Sequence, residues 1–242
     1  MQEILLIAPI VFLSGFIQGL TGFGNVLFAL PLLSLFLPIQ FVVPFVVLIG
    51  FSINLILFIH FRNSAQLKIV LVLFLFSIPG VPIGVFTLST CPEWMLQILL
   101  GSLLLIISLY TLASKEPLRG PGRKWAAMAG LLSGWLGGSL GASGPPIIIY
   151  LTRQPWSKES VKATIVTYFV LADIVIIGFQ SANNFITFSV IQSYVLSFPM
   201  LILGVVFGSL SFKILSHSQY FILTNLFLLL LGIITSIKGC LG

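Results

Sequence analysis

A glycine-rich run that occurs twice is the feature that most constrains this chain. Residues 15–31 read GFIQGLTGFGNVLFALP, and residues 130–146 read GLLSGWLGGSLGASGPP. The glycines and the final proline recur at a constant offset of 115 residues: Gly15, Gly19, Gly22 and Pro31 match Gly130, Gly134, Gly137 and Pro146. Small residues inside an apolar run predict a broken helix. At membrane depth such backbone survives only where protein buries it or where it lines a cavity, and matching interruptions in two halves are typical of a transporter's binding site.

Composition places the chain in a membrane. It is 58% hydrophobic and 7% charged, whereas soluble domains carry about 25% charged residues. No Asp, Glu, Lys or Arg occurs between Ile4 and Ile59. We therefore expect an all-α polytopic protein of a bacterial-type cytoplasmic cell membrane. The net charge of +6 comes from basic residues in short loops, which is a topology signal and not a sign of nucleic-acid binding.

Hydropathy divides the chain into two repeats. Residues 1–113 form the first, 114–124 a polar link, and 125–242 the second. A bilayer core of about 30 Å needs roughly 20 helical residues, which predicts six ordinary spans over 41–61, 68–89, 94–113, 161–182, 188–211 and 219–237. Segments 4–37 and 125–151 do not fit one plain span, because both contain a glycine-rich interruption.

The basic loops predict the topology of those two segments. The link 114–124 and the loop 152–162 are both rich in Lys and Arg, whereas the loops near 38–40, 90–93 and 183–187 have none. If all basic loops are cytoplasmic, segment 125–151 enters and leaves by one face as a re-entrant hairpin. The halves then become inverted repeats, each a broken hairpin plus three transmembrane helices. The alternative is eight full spans in two parallel repeats, which leaves three basic residues outside.

The paired runs resemble the TauE/SafE family of sulfite and organosulfur-anion transporters. The resemblance rests on Gly22-Phe23-Gly24 to Pro31, on Gly137-Gly138-Ser139 to Pro145-Pro146, and on the match of Pro79…Gly84 with Pro199…Gly204. Phe23 and Ser139 interrupt the glycine triplet of the family pattern. The resemblance implies a secondary transporter, an exporter of small anions such as sulfite or organosulfonates.

Broken helices also predict how an anion is held. A half-helix N-terminus offers unpaired N–H groups and about half a positive charge, which together suit a small oxyanion. The interpretation that competes with this one is close helix packing by small residues. The candidate substrate-binding residues are Thr21, Gly22, Phe23, Gly24, Asn25, Asn54, Gly138, Ser139, Gly141, Ala142, Ser143 and Gly144.

Asp173 is the carboxylate placed well within a predicted span. Ionisable residues in membranes are costly to bury and usually functional, so Asp173 is the candidate carrier of a coupling proton. The alternative is a hydrogen-bonded structural role. Asn54 lies at a similar level of its span and is a rough counterpart in the first half. Thr164 and Thr167 face the cavity or bond back to their own helix.

Two other function classes compete with transport. An enzyme is disfavoured, because the spans contain no HExxH, GxSxG or carboxylate pair. A membrane scaffold or receptor subunit without transport activity remains the alternative, although it has no need of duplicated broken helices. We expect no cofactor, no metal and no nucleic-acid partner. The expected partners are the lipid bilayer and a small anionic substrate, and the oligomeric state stays open.

Overall fold

The computed structural model describes residues 2–21, 24–113, 122–211 and 217–241, and these residues form helices and no strand. The helices are α1 Gln2–Thr21, α2 Asn25–Ser34, α3 Ile39–Phe61, α4 Leu67–Ser77, α5 Gly80–Thr90, α6 Glu93–Ala113, α7 Arg123–Leu140, α8 Gly144–Leu151, α9 Lys158–Ala182, α10 Phe188–Ser211 and α11 His217–Leu241. A single 3-10 turn, Arg62–Ser64, joins α3 to α4. The prediction of an all-α protein is confirmed for this part of the chain.

Long apolar helices coincide with most of the predicted spans. Within the described residues, four helices are long and apolar enough to cross a membrane: Ile39–Ile59, Glu93–Tyr110, Glu159–Ala182 and Phe188–Leu210. They match the predicted spans 41–61, 94–113, 161–182 and 188–211. The last predicted span, 219–237, falls inside α11. The chain is therefore a multi-pass membrane protein.

The predicted span 68–89 is bent. It consists of α4 and α5, which meet at 42° across a break at Ile78 and Pro79. Proline has no N–H to donate, and its ring clashes with the carbonyl of the preceding turn. Counted as one broken span, this pair raises the number of candidate spans in the described ranges to five.

Both glycine-rich segments break where the sequence predicts. Segment 4–37 contains α1 and α2, and α2 starts after Gly24, whose φ is +105°. Segment 125–151 contains α7 and α8, which are separated by a turn that starts at Gly141 with φ +65°. The broken helices are confirmed, whereas the inverted arrangement of the halves stays a prediction.

The helices form two compact units, and each unit takes helices from both sequence halves. The first unit contains Met1–Val46, Cys91–Lys115 and Phe188–Gly242, and the second contains Val47–Thr90 and Glu116–Thr187. In the first unit α1 packs along α10, and α6 packs along α11. In the second unit α7 packs along α4 and α5, and α9 contacts α4, α5, α7 and α8.

Glycines allow the closest approach within the first unit. A Cβ on Gly15 would lie 2.9 Å from the Leu201 carbonyl oxygen, and a Cβ on Gly204 would lie 3.0 Å from the Phe16 nitrogen. Both contacts join α1 to α10, and their partners are backbone atoms that cannot rotate away. Part of the first glycine run therefore serves helix packing.

In the second unit, glycines allow the same close packing between α7 and the bent pair of helices α4 and α5. A Cβ on Gly130 would lie 3.0 Å from the Phe76 Cβ, and a Cβ on Gly84 would lie 2.8 Å from the Ser139 nitrogen. In each unit, the first glycines of the run lie on one helix and the glycine of the Pro…Gly match lies on the helix packed against it. The two sequence signals thus form the two faces of the same kind of helix–helix interface.

Candidate functional site

The turn between α7 and α8 is the better-defined of the two breaks. The Gly141 N–H donates to the Gly137 carbonyl over 2.9 Å, and the Ala142 N–H donates to the Leu136 carbonyl over 3.1 Å, so a left-handed glycine caps the end of α7. Ser143 precedes α8, and Pro145 and Pro146 occupy its first turn. Four N–H groups are normally unpaired at a helix start. Two of these positions are proline here, so Ser143 and Gly144 are left to supply the backbone donors.

A chain of buried hydroxyl groups holds this turn. The Tyr168 hydroxyl on α9 donates to the Ser133 Oγ over 2.8 Å. The Ser133 hydroxyl on α7 donates in turn to the Ser143 carbonyl oxygen. All three residues are buried. These bonds hold the backbone of Ser143 against α7 and α9.

Within the described part of the chain, the Ser143 side chain itself has no hydrogen-bond partner. Its Oγ is buried, and no protein atom of the described residues pairs with it. A Cβ on Gly137 would collide with this hydroxyl and would lie 2.7 Å from the Ile176 Cδ1. Gly137 therefore leaves room for a hydroxyl donor at the start of α8. A buried polar atom without a partner costs about 1–3 kcal/mol, which points to water or a ligand there.

Asn54 and Asp173 pair within the same unit. The Asn54 Nδ2 donates to the Asp173 Oδ2 over 3.1 Å, and both residues are buried. Their helices, α3 and α9, belong to different sequence halves. The amide is the right partner for a carboxylate that accepts hydrogen bonds, since a carboxylate has no donor of its own when ionised.

The break between α1 and α2, in the first unit, resembles the break between α7 and α8: a glycine with positive φ is followed by a new helix. Gly24 precedes α2, and its carbonyl accepts from the Phe28 N–H over 3.2 Å. No proline occurs in the first turn of α2, so proline removes none of the donors at this helix start. The Asn25 side chain is 4% exposed, and its Nδ2 has no partner among the described residues. A half-helix start and a buried amide donor thus come together here.

A lysine caps the other end of α2. The Lys238 Nζ, on α11, donates to the Ser34 carbonyl over 2.7 Å and to the Leu35 carbonyl over 3.2 Å. A cation at a helix C-terminus is favourable, by about 0.3–1 kcal/mol at exposed sites. The contact therefore holds α2 at its C-terminal end.

The predicted site residues separate into groups. Gly24, Gly141 and Gly144 lie at the breaks and are partly accessible, whereas Asn25, Ala142 and Ser143 are buried there. Gly138 faces α5, and the Ser139 hydroxyl donates to the Trp135 carbonyl over 2.7 Å. The side chain of Thr21 and the whole of Gly22 and Phe23 lie outside the described residues.

The hydroxyls of Thr164 and Thr167 bond to their own helix. Thr164 donates to the Ser160 carbonyl and Thr167 to the Ala163 carbonyl, over 2.6 and 2.7 Å. The Thr164 oxygen also accepts from the Gln66 N–H over 3.0 Å. Of the two interpretations, back-bonding is therefore the correct one, as is usual for threonine in apolar helices.

Sequence reasoning missed Tyr168, Ser133, Gln180 and Lys238. Gln180 on α9 is 0% exposed, and neither of its side-chain polar atoms has a partner among the described residues. The signal for Tyr168 and Gln180 was a polar side chain inside a span, which is the same reasoning that singled out Asp173. Lys238 gave no such signal, because a lysine near a helix end is ordinary.

Broken half-helices, close glycine packing and long apolar helices together define a polytopic, helical membrane protein. The comparison with known families agrees, since the chain matches the family described as sulfite exporter TauE/SafE over residues 7–235. The chain belongs to this family.

One curated relative is the probable sulfite/organosulfonate exporter TauE of Cupriavidus necator. It is 26% identical over 135 residues, which cover 54% of this chain and 53% of the relative. The chain thus spans about half the length of this relative. No solved structure matches the chain.

Proposed function

We propose that this protein is a secondary transporter that exports small anions such as sulfite or short organosulfonates across the cytoplasmic membrane. One observation carries the proposal: at both helix breaks a buried polar atom that has no partner among the described residues lies at the start of a half-helix. These atoms are the Asn25 Nδ2 at α2 and the Ser143 Oγ at α8. The family membership supports the same class of function.

The chemistry of each break suits an anion. Backbone N–H groups and the positive end of a helix dipole attract negative charge without a lysine or arginine. A neutral donor set also releases its ligand more readily than an ion pair does, which transport requires. An oxyanion with several acceptor oxygens can take hydrogen bonds from both the backbone and the Asn25 or Ser143 side chain.

The two breaks differ in the number of backbone donors that they offer to an anion. The first turn of α2 keeps all its N–H groups, whereas Pro145 and Pro146 remove two donors from the first turn of α8. We therefore expect the break at Gly24 to hold the anion more tightly and the break at Gly141 to hold it more loosely. The Ser143 hydroxyl compensates in part for the donors that proline removes.

Asp173 is proposed to couple transport to protons. It is a buried carboxylate whose oxygen accepts from the Asn54 amide. Placing an ionised carboxylate at the centre of a bilayer costs at least about 2.5–3.5 kcal/mol. The cost is lower when Asp173 is protonated than when it is ionised. If Asp173 takes up and releases a proton during the transport cycle, proton movement is linked to anion movement.

Reconstituted vesicles test this function. Purified protein is incorporated into liposomes, and movement of sulfite, sulfate and taurine is followed with and without a pH gradient. Asn25→Leu and Ser143→Ala should each lower the apparent affinity for the transported anion by about tenfold, because each removes one donor worth roughly 1–1.5 kcal/mol. Ser89→Ala is the matched control, since the Ser89 hydroxyl is exposed and bonds to its own helix.

Two results would contradict the proposal. The first is movement of none of these anions by a protein that is folded and inserted. The second is equal affinity in wild type, Asn25→Leu and Ser143→Ala, which would assign both polar atoms to structure.

A further inference from the structure

A groove in the first unit combines opposite charges with an apolar wall. Its volume is about 690 Å³. It lies where the end of α2, the start of α6 and the end of α11 come together, and its lining residues are Leu35, Glu93, Trp94, Gln97, Ile234, Ile237, Lys238 and Leu241. Neither helix break contributes to it, so the groove is separate from the proposed anion site.

Two charged side chains face this groove without pairing with each other. Within the described residues, Glu93 and Lys238 form no ion pair, although both line the same cavity. The buried Gln97 donates its Nε2 to the Glu93 Oε1 over 3.1 Å, which holds the carboxylate in place. The groove is therefore lined by one anionic and one cationic side chain, each held by hydrogen bonds.

Each charge keeps hydrogen-bonding capacity for a ligand. A lysine ammonium has three N–H donors, and Lys238 uses two of them on the Ser34 and Leu35 carbonyls. Glu93 uses one of its two oxygens on Gln97. One ammonium N–H and one carboxylate oxygen remain, which matches a ligand with one oxyanion and one N–H donor.

The apolar residues identify the ligand as a lipid and not a soluble zwitterion. Three of the apolar residues that line the groove lie on α11 and are exposed, namely Ile234 at 38%, Ile237 at 53% and Leu241 at 83%. Trp94 is exposed at the rim, and the candidate span of α6 begins at Glu93. Tryptophan concentrates at the membrane–water interface, so the charged part of the groove lies at headgroup depth and the apolar part faces the acyl chains.

We propose that this groove binds a phospholipid whose headgroup carries a primary amine. The Lys238 ammonium takes the phosphate, the Glu93 carboxylate takes the lipid ammonium, and the acyl chains lie along Ile234 and Ile237. A choline headgroup has no N–H to donate to Glu93, whereas a phosphatidylethanolamine headgroup has three. Selectivity for the primary amine thus rests on Glu93, and affinity for phosphate rests on Lys238.

Native mass spectrometry of the full chain tests this site. Phosphatidylethanolamine, phosphatidylcholine and phosphatidylglycerol with identical acyl chains are titrated in turn. Wild type should retain phosphatidylethanolamine about tenfold better than phosphatidylcholine, which is the size expected for one charge-assisted hydrogen bond. Glu93→Gln should abolish this difference, and Lys238→Met should weaken all three lipids.

Matched variants control for charge and folding. Lys68→Met and Glu159→Gln remove exposed charges elsewhere and should leave the lipid preference unchanged. Lys238→Met also removes a helix cap, so Lys238→Arg, which restores both the cap and the cation, should recover lipid binding. Soluble phosphoethanolamine should fail to displace the lipid at equal concentration.

Four outcomes would overturn the proposal. They are equal retention of the ethanolamine and choline lipids by wild type, preference for phosphatidylglycerol, displacement by soluble phosphoethanolamine, and a dimer that buries the groove in the absence of lipid.

Discussion

The Asn54 amide and the Asp173 carboxylate form a buried hydrogen bond of 3.1 Å that joins α3 to α9. The two residues come from different sequence halves and lie in one compact unit. Within the described residues, the partner that holds this carboxylate is a neutral amide. This relationship makes Asp173 the residue to test for proton coupling.

Asp173→Asn should flatten the pH dependence of transport. The substitution keeps the size of the side chain and removes its proton exchange, so folding should change little. Transport is measured between pH 5.5 and 8 for both proteins in the same vesicles. Glu159→Gln, which removes an exposed carboxylate at the start of the same helix, should keep the wild-type profile. An unchanged profile in Asp173→Asn would assign Asp173 to structure.

Gly24→Val and Gly141→Val should abolish transport while the protein remains inserted. Both glycines have positive φ, +105° and +65°, where a side chain costs about 1–2 kcal/mol and a β-branched one more. At Gly24 the nearest atom to an added Cβ is 3.7 Å away, so conformation and not crowding decides the outcome there.

Two further variants make the glycine test specific. Gly141→Asn should keep partial transport, because asparagine tolerates the left-handed conformation better than valine does. Gly178→Ala, at a helical glycine with no neighbour within 4 Å of an added Cβ, should keep full activity. Normal transport in both valine variants would mean that neither break contacts the anion.

The duplication in the sequence predicted the breaks and left helix packing as an alternative, but it did not separate the glycines that break the helices from those that pack. Gly24 and Gly141 form the turns, whereas Gly130, Gly134 and Gly138 lie against other helices. Sequence spacing alone does not separate these roles, since both need a residue without a side chain. The bend at Pro79 was also missed, because hydropathy averages across a span and does not register one lost N–H.

Gly134→Ala should lower stability and leave anion affinity unchanged. An added Cβ would lie 3.0 Å from the Ser77 Cα and closer still to the Ser77 carbonyl. Neither atom can rotate away, so α7 and α4 must move apart, which typically costs about 1–3 kcal/mol. Thermal unfolding in detergent measures the loss, with Gly178→Ala as the neutral control. A large change in anion affinity at unchanged stability would instead place Gly134 in the binding site.

Cysteine labelling should find Ser114 and Ser157 on the same side of the membrane. Both flank segment 125–151, and the basic loops place them together if that segment is re-entrant. Cys91 and Cys240 are free thiols, so both are first replaced by serine. Single cysteines at 114 and 157 are then labelled with an impermeant reagent in sealed vesicles. Labelling from opposite sides would favour eight full spans.

Gln180→Leu should stabilise the protein and impair transport. The Gln180 side chain is 0% exposed, and neither of its polar atoms has a protein partner among the described residues. A buried group in this state costs about 1–3 kcal/mol, and leucine of similar volume removes that cost. Leucine cannot hydrogen-bond water or substrate, so we expect slower transport if the amide lies on the transport route.

The matched control for Gln180 is another buried glutamine. Gln97 is 3% exposed and donates to Glu93, so Gln97→Leu should destabilise the protein where Gln180→Leu stabilises it. Thermal unfolding and vesicle transport are measured on both variants. Higher stability with undiminished transport would remove Gln180 from the route, and lower stability would show that its amide is satisfied in the folded protein. Only the combination of a higher unfolding temperature and slower transport supports a role for Gln180 in the passage of the anion.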